Sequence, residues 1–270
     1  MEDKLIVTKS QLINETRKLG LAEGQTVMLH ASVKNIGWIV GGPQTILEAL
    51  LEILTPNGTL MMLASWEDNP YDLDRWPEKR RQSYLEECPA FDPRYSRADI
   101  RKMGILTEYL RTWPGSIRSR HPFGYTAVGK LADHLVKHEQ LQYRDGSGSP
   151  LEKLCEVSGK VLLLGSPTAK VTLLHHAENL AQVPNKRVDR YKMPILQNGE
   201  RTWVEFEEYD TTKGIVPWPD DYFQTIVDKY INDGHGTLGA VGMAKCHLFD
   251  AESLKSYGVD WMERHFNETR

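Results

Sequence analysis

The sequence predicts an α/β fold: a three-layer αβα sandwich around a central mixed, mainly parallel sheet, with a small hairpin and a long irregular insert. Two observations carry this. The short apolar runs "TVMLHAS", "TLMMLAS" and "KVLLLG" lack polar alternation, so they read as strands buried on both faces. Amphipathic helical stretches lie between them, the alternation of a parallel sheet covered on both sides. The chain has 270 residues, which suits one such domain, and we expect residues 1–270 to form a single unit.

The first element, "SQLINETRKLG", predicts a helix with Ser10 as N-cap and Gly20 as its stop. "TVMLHAS" is the first strand. A glycine loop comes next, then the helix "PQTILEALLEIL" with Pro43 in its first turn. "TLMMLAS" is the next strand. Residues 66–100 contain four prolines and many charges, and read as an irregular excursion with a short helix at Arg80–Glu87. Its aromatic residues argue against disorder. Helices are predicted at "GILTEYLRTWPG", "GKLADHLVKHEQL" and "SPLEKLCEVSG", the last capped by Ser149 with Pro150 at its first position. "KVLLLG" is a central strand, and a helix re-enters near Val171 or Thr172. "RYKMPILQNGERTWVEFEEYD" predicts a hairpin turning at Asn198-Gly199. Helices over "DDYFQTIVDKYINDG" and "DAESLKSYGVDWMERHF", the second capped by Asp250, complete the chain.

Composition narrows the function. The net charge of −4, without a Lys/Arg block, argues against a nucleic-acid partner. No apolar run is long enough to span a bilayer, and "MEDKLIVTKS" has no apolar leader core, so a cytoplasmic protein without a membrane partner is expected. The three cysteines are far apart in sequence, which disfavours a disulfide framework or a zinc site.

Three stretches can carry chemistry. In "LHASVKNIGWIVGGPQTILEAL" a strand runs through a glycine-rich loop into a helix, a pattern able to bind an anion through free N–H groups. It matches neither dinucleotide-binding nor NTPase fingerprints, and it also suits a tight turn needing positive φ. In "SIRSRHPFGYTAVG", Arg118 and Arg120 bracket Ser119, and this pair of arginines could clamp a phosphate, or belong to a solvated, proline-stiffened loop. In "VLLLGSPTAKVTLLHHAENLA", His175 and Glu178 stand at i and i+3 on one helix face, just past a strand's carboxyl end. A carboxylate beside an imidazole fixes its tautomer and stabilises the imidazolium, as a general base requires. The helix dipole opposes that charge and the glutamate favours it; the sequence does not say which wins. The same pair could be a histidine satisfied at a helix surface. His176 points elsewhere around the helix. Carboxylates beside aromatic rings in "SWEDNPYD" and "VPWPDDYF" suit a polycationic, hydroxyl-rich ligand, though Asp220 and Asp221 also suit a helix cap.

Taken together, "LHASVKNIGWIVGGPQTILEALLEILTPNGTLMM", "SWEDNPYD", "RTWPGSIRSRHPFGYTAVG", "GSGSPLEKL", "KVLLLGSPTAKVTLLHHAENLA" and "DDYFQTIVDKYI" resemble the aminoglycoside 3-N-acetyltransferase family, in the branch acting on gentamicin-type and kanamycin-type antibiotics. The resemblance implies transfer of acetyl from acetyl-CoA to the 3-amino group of a 2-deoxystreptamine ring, on a fold unlike that of many other N-acetyltransferases. The motif T-x-x-H-x-A-E stands here as Thr172, His175, Ala177 and Glu178, so the resemblance implies His175 as catalytic base and Glu178 as its partner. It implies a coenzyme A site at Ala31, Ser32, Val33, Lys34, Gly37, Trp38, Ile39, Val40, Gly41 and Gly42; from the arginine-clamp reading we add Arg118 and Ser119 as expected donor-binding residues. Ala31 stands where many members carry serine. We expect the cationic antibiotic at Trp66, Glu67, Asp68, Asn69, Tyr71, Asp72, Asp220 and Asp221, direct transfer with backbone donors near Ala31 and Ser32 facing the oxyanion, and no metal. Two rivals differ in outcome: an acetyl-CoA-dependent acyltransferase for a non-antibiotic amine, and a protein that only sequesters aminoglycosides.

Overall fold

The computed structural model describes residues 5–137, 140–210, 214–219 and 221–267. Along the chain, β1 (Ile6–Val7), α1 (Lys9–Lys18), β2 (Thr26–Ala31), α2 (Val33–Ile36), β3 (Trp38–Ile39), α3 (Gln44–Leu54) and β4 (Thr59–Leu63) precede the insert. Within and after it come α4 (Glu78–Glu87), α5 (Ile100–Met103), α6 (Ile105–Arg111), β5 (Ile117–Arg118), β6 (Tyr125–Gly129), α7 (Ala132–Val136) and α8 (Pro150–Glu156). The remaining elements are β7 (Lys160–Leu164), α9 (Leu173–Leu180), β8 (Val188–Gln197), β9 (Glu200–Tyr209), α10 (Tyr222–Asn232), β10 (Thr237–Val241), β11 (Ala244–Asp250) and α11 (Ala251–Asn267).

Among the described residues seven strands form the main sheet, in the order β10-β11-β7-β2-β4-β6-β5. The predicted α/β sandwich around a mixed sheet holds, but the sheet is not mainly parallel, because the strands added on both flanks are hairpin-like returns that run against their neighbours. Parallel pairing is confined to β7-β2-β4, while β11 and β6 run against their neighbours. The central runs lack polar alternation because each face is covered. Val27 and Leu29, Leu60 and Met62, and Leu162 and Leu164 pack with α1, α3 and α6. The alternate residues Met28, Met61, Val161 and Leu163 pack with α7 to α11. Successive side chains on a strand point to opposite faces, so one apolar run serves both cores.

Local signals match the caps in part. Thr8, not Ser10, caps α1, its side chain accepting from the Gln11 amide at 3.2 Å. Ser149 caps α8 and Asp250 caps α11 as expected, at 3.1 and 2.8 Å. The hairpin β8–β9 turns at Asn198-Gly199, both at positive φ as a type I′ turn requires. The helix expected across 129–141 is short, ending at Val136, with residues 138 and 139 outside the described residues.

The insert is a closed excursion. Ala64 and Trp66 donate to Gly124 and Pro122, Glu67 donates to Arg97, and Asp99 donates to Ser65, so the chain leaves and returns at the carboxyl end of β4. Its aromatics pack on the hairpin: Trp66 and Phe91 share a small core with Tyr191, Met193, Ile195 and Phe206. Among the described residues no helix is long and apolar enough to cross a membrane.

Candidate active site

The parallel strands β2 and β7 end side by side, and the site is built from the segments that leave their carboxyl ends. After β7 the chain breaks at Gly165, whose φ is +70° and where a Cβ would lie 2.9 Å from the Ala244 Cβ. That turn redirects the chain into α9 and puts its first turn over the sheet edge. There His175 Nδ1 lies 2.6 Å from Glu178 Oε2. Glu178 is buried, while the His175 side chain is 22% exposed, so one partner is held and the other can meet a ligand. The His175 ring stands 4.8 Å from that of Phe223 on α10. With Nδ1 on the carboxylate, Nε2 is left for proton exchange.

The competition left open by the sequence is decided here. Burial disfavours the His175 cation, but the charge and hydrogen bond of Glu178, with help from Asp145, outweigh it and raise its affinity for a proton. Burial likewise raises Glu178, against the pull of His175. The neighbouring His176 does point away: it is buried, and its Nδ1 lies 2.8 Å from the Asp145 carbonyl. His30, absent from the expected set, is the penultimate residue of β2, on the face that carries α9. Its Nε2 is buried without a hydrogen-bond partner among the described residues, and burial with the nearby His175 pushes its pKa down to about 4. Its signal in the sequence is a lone imidazole at the carboxyl end of an apolar strand.

A buried polar network joins this pair to the insert. The Tyr125 hydroxyl donates to Asp145 Oδ1 at 2.6 Å, and Arg144 Nε lies 3.1 Å from Asp145 Oδ2 and its Nη1 3.5 Å from Glu208 Oε2. The Tyr191 hydroxyl donates to Glu208 at 2.7 Å. The Phe123 amide donates to His121 Nδ1, which puts the proton on Nε2, 3.1 Å from Glu208. Beyond Tyr191, Tyr71 donates to Asp189 and packs on Phe123. A cleft of about 1080 Å³ opens at Tyr71, Asp72, Asp189 and Asp210. Six carboxylates line it, Asp72, Asp74, Glu78, Asp189, Glu205 and Asp210, against five Arg and Lys side chains. It is only mildly acidic, because Asp72 and Glu205 already face Arg75 at 3.1 Å and Lys192 at 3.7 Å.

Residues 28–263 match the family described as aminoglycoside 3-N-acetyltransferase. The chain belongs to the aminoglycoside 3-N-acetyltransferase family. It is similar to aminoglycoside N(3)-acetyltransferase III of Pseudomonas aeruginosa, 44% identical over 263 residues that cover 97% of this chain and 96% of the relative. Its fold is similar to that of the aminoglycoside acetyltransferase AAC(3)-Xa, with TM-score 0.93 and 42% identity, covering 97% and 95% of the two chains. It is also similar to AAC-IIIb, solved as a binary complex with CoASH, with TM-score 0.91 and 40% identity over 97% and 98%.

In this family member the expected site residues separate into two groups. Tyr71 and Asp72 line the large cleft. Glu67, Asp68, Asn69 and Asp72 line an adjoining hollow of about 530 Å³. Trp66 is different: it is buried in the insert core and contributes packing. Asn69 binds the Trp66 carbonyl at 2.7 Å, holding the turn. Asp221 is exposed, makes no side-chain cap bond, and stands just before α10, two residues ahead of Phe223. Asp220 lies outside the described residues.

The glycine loop is largely committed to the fold. The amides of Ser32, Asn35, Trp38, Val40 and Gly42 donate to Leu164, Ser32, Leu5, Val7 and Ile39, so these five are committed to the fold. Trp38 and Ile39 pair with β1, and a Cβ at Gly37 would lie 2.7 Å from the Leu5 carbonyl oxygen. Ala31 ends β2, Gly41 turns toward Thr45, and Val33 packs with the α3 core, which leaves Lys34 and Asn35 beside the Gly165 break. Asn35, also absent from the expected set, bonds the Gly165 carbonyl at 2.9 Å.

Arg118 and Ser119 are the clearest departures from expectation. Arg118 is buried over Phe91 and donates to the carbonyls of Ala64 and Ser96, the two ends of the insert. Burial pulls its pKa down to about 9. Ser119 is buried and accepts from the Tyr125 amide at 2.9 Å. Sequence could not separate a phosphate clamp from an insert clip, because both ask for arginine. Arg118→Ala is expected to cost about 2–4 kcal/mol of stability, since two buried carbonyls lose charged donors. Thermal denaturation checks this; coenzyme A affinity of the folded variant stays at the wild-type value, whereas a phosphate clamp would lose it.

Glu208 sets a pH prediction. Burial alone would raise its pKa, but Arg144, His121 and Tyr191 hold it down at about 2. Its contribution is therefore complete above the ordinary glutamate value of 4.5 and is lost as pH falls toward about 2. The free energy of unfolding is expected to drop across that window, by on the order of 3 kcal/mol in total, which denaturation at each pH checks. Glu208→Gln should flatten the drop while lowering stability at neutral pH.

Proposed function

We propose that this chain transfers the acetyl group of acetyl-CoA to the 3-amino group of the 2-deoxystreptamine ring of aminoglycoside antibiotics, and so confers resistance. The observation that carries this reading is the His175–Glu178 pair: a partly open imidazole, its Nδ1 2.6 Å from a buried carboxylate, at the carboxyl ends of β2 and β7. The acceptor side is the cleft between insert and hairpin, where carboxylates meet ammoniums and Tyr71 offers a ring face. The names of its relatives, acetyltransferases for aminoglycosides and one structure with CoASH, support the same substrates.

Acetyl-CoA supplies an activated acyl group. The residues at hand fit it: Lys34 and Asn35 sit at the Gly165 break, and the buried Nε2 of His30 has no partner among the described residues. The chain's own part is to manage one proton. His175 takes it at Nε2 from the attacking amine, Glu178 stabilises the imidazolium that results, and the same proton then serves the departing sulfur. Ser32 N–H is held by Leu164 O, so the expected donation from that amide does not stand. His30 Nε2 is the polar atom this rim offers to a developing oxyanion.

The test is an acetylation panel of aminoglycosides, following thiol release and assigning the acetylated nitrogen. Thiol release that depends on the drug, with product acetylated at the 3-amino group, is expected. Binding without release, or acetylation of other amines only, would overturn the proposal.

A further inference from the structure

Residues 142–146, in the connection between α7 and α8, form a strap from the hairpin to the helix that carries His175. On the hairpin side, the Tyr143 amide donates to the Glu207 carbonyl at 2.9 Å. The Gln142 side chain bonds the Glu205 carbonyl and the Glu207 amide at 2.9 and 2.5 Å. On the other side, His176 Nδ1 donates to the Asp145 carbonyl at 2.8 Å. A Cβ at Gly146 would lie 3.0 Å from Asn179 Oδ1, and Asn179 Nδ2 donates to the His175 carbonyl at 2.8 Å. The strap therefore rests against the turn of α9 that holds the base. Its own turn is costly: Tyr143 has φ at +49°, in the left-handed region that bulky side chains avoid.

The side chains within the strap carry charge into a nearly dry place. Those of Arg144 and Asp145 are 11% and 3% exposed. One guanidinium faces two carboxylates, Asp145 at 3.1 Å and Glu208 at 3.5 Å. The other partners of Glu208 are Tyr191 and a His121 ring that accepts at Nδ1, so they add hydrogen bonds and no compensating charge. The group therefore keeps a net negative charge that water screens little. Around His175 the other described titratable groups are Glu178 on α9 and His30 on β2, while α10 presents the uncharged Phe223. Lys186 faces Glu178. Burial lowers the proton affinity of His175; Glu178 and then Asp145 raise it, and Arg144 opposes them.

We propose that Arg144 and Asp145 are positioning residues for His175: a buried ion pair, shared with Glu208, that ties the hairpin wall of the acceptor cleft to α9 and sets a second carboxylate behind the base. Glu178 orients the ring. Asp145 keeps negative charge near it as the imidazolium forms, and Arg144 holds that carboxylate in place while spanning to the hairpin. Both act through His175 and not by touching a substrate. The proposal rests on the acetyl-transfer reading for the role of His175 as base.

Nuclear magnetic resonance titration of the His175 ring, assigned by its loss in His175→Ala, tests this without any turnover. In Asp145→Asn, which keeps an acceptor for the Tyr125 hydroxyl, the ring is expected to titrate at a pH roughly 0.5 to 1 lower, and the acid limb of kcat/KM to follow it. Its kcat falls roughly 3- to 30-fold, as for a weakened base, while KM for gentamicin stays within about twofold because the backbone bonds of the strap remain. Glu208→Gln leaves Arg144 to neutralise Asp145 and moves the titration the same way by less. Arg144→Lys keeps the charge and the titration but loses the fork between two carboxylates, so its melting temperature falls. Tyr143→Phe removes a strap hydrogen bond to Glu207 without removing charge, and leaves the titration in place. A His175 ring that titrates at the wild-type pH in both Asp145→Asn and Glu208→Gln would overturn the proposal, whatever their melting temperatures. If the shifts occur but the wild-type protein acetylates no aminoglycoside, the proposed function fails and the positioning role stands.

Discussion

His175→Ala lowers kcat for drug-dependent thiol release by roughly 10²- to 10⁴-fold, the range expected when a positioned base is lost. The protein keeps its fold, because the ring is partly exposed and its contacts are few: Glu178 by hydrogen bond and Phe223 by a tilted ring contact. Glu178 is left buried without its partner and takes up a proton, as its raised pKa allows. Circular dichroism and coenzyme A titration on the variant separate lost chemistry from lost structure. His176→Ala is the control. Its ring is buried and holds the Asp145 carbonyl, so it costs stability first and turnover much less. Turnover within threefold of wild type in His175→Ala would remove the proposed mechanism.

Glu178→Gln is expected to lower the plateau of kcat/KM by about 10- to 1000-fold and to move its acid limb to lower pH. The sign comes from the balance at His175. Burial lowers the proton affinity of the ring, and Glu178 reverses that; without the carboxylate charge, burial dominates. The ring is then deprotonated at a lower pH but is a poorer base, so the variant's deficit is largest at high pH and shrinks as pH falls. The ionisations of the antibiotic are common to both proteins, so the difference between their profiles isolates the enzyme group. An acid limb that stays in place, or moves upward, would show that Glu178 does not act on His175.

Much of this is legible in the amino acids. The i, i+3 spacing of His175 and Glu178 is local, and a helix of 3.6 residues per turn brings such a pair together wherever it packs. The hairpin is legible for the same reason, since Asn-Gly favours its turn by its own backbone preference. β6 reads as part of a loop, because "YTAVG" is short and comes after a His-Pro turn. β10 escapes recognition because it is an edge strand, exposed along most of its length, without the apolar run that marks its central neighbours.

The sequence by itself determined the layered architecture, through apolar runs that need two covered faces, and the His175–Glu178 pairing, through helical spacing. Tertiary structure alone decided which charges remain available to a ligand. Arg118 clips the insert instead of facing a phosphate, the loop amides close onto β1 and β7, and Tyr71 meets Asp189 across 118 residues of chain. The physical reason is that a hydrogen-bonding group's partner depends on what the fold brings within about 3 Å of it, and periodicity along the chain carries no information about neighbours that distant.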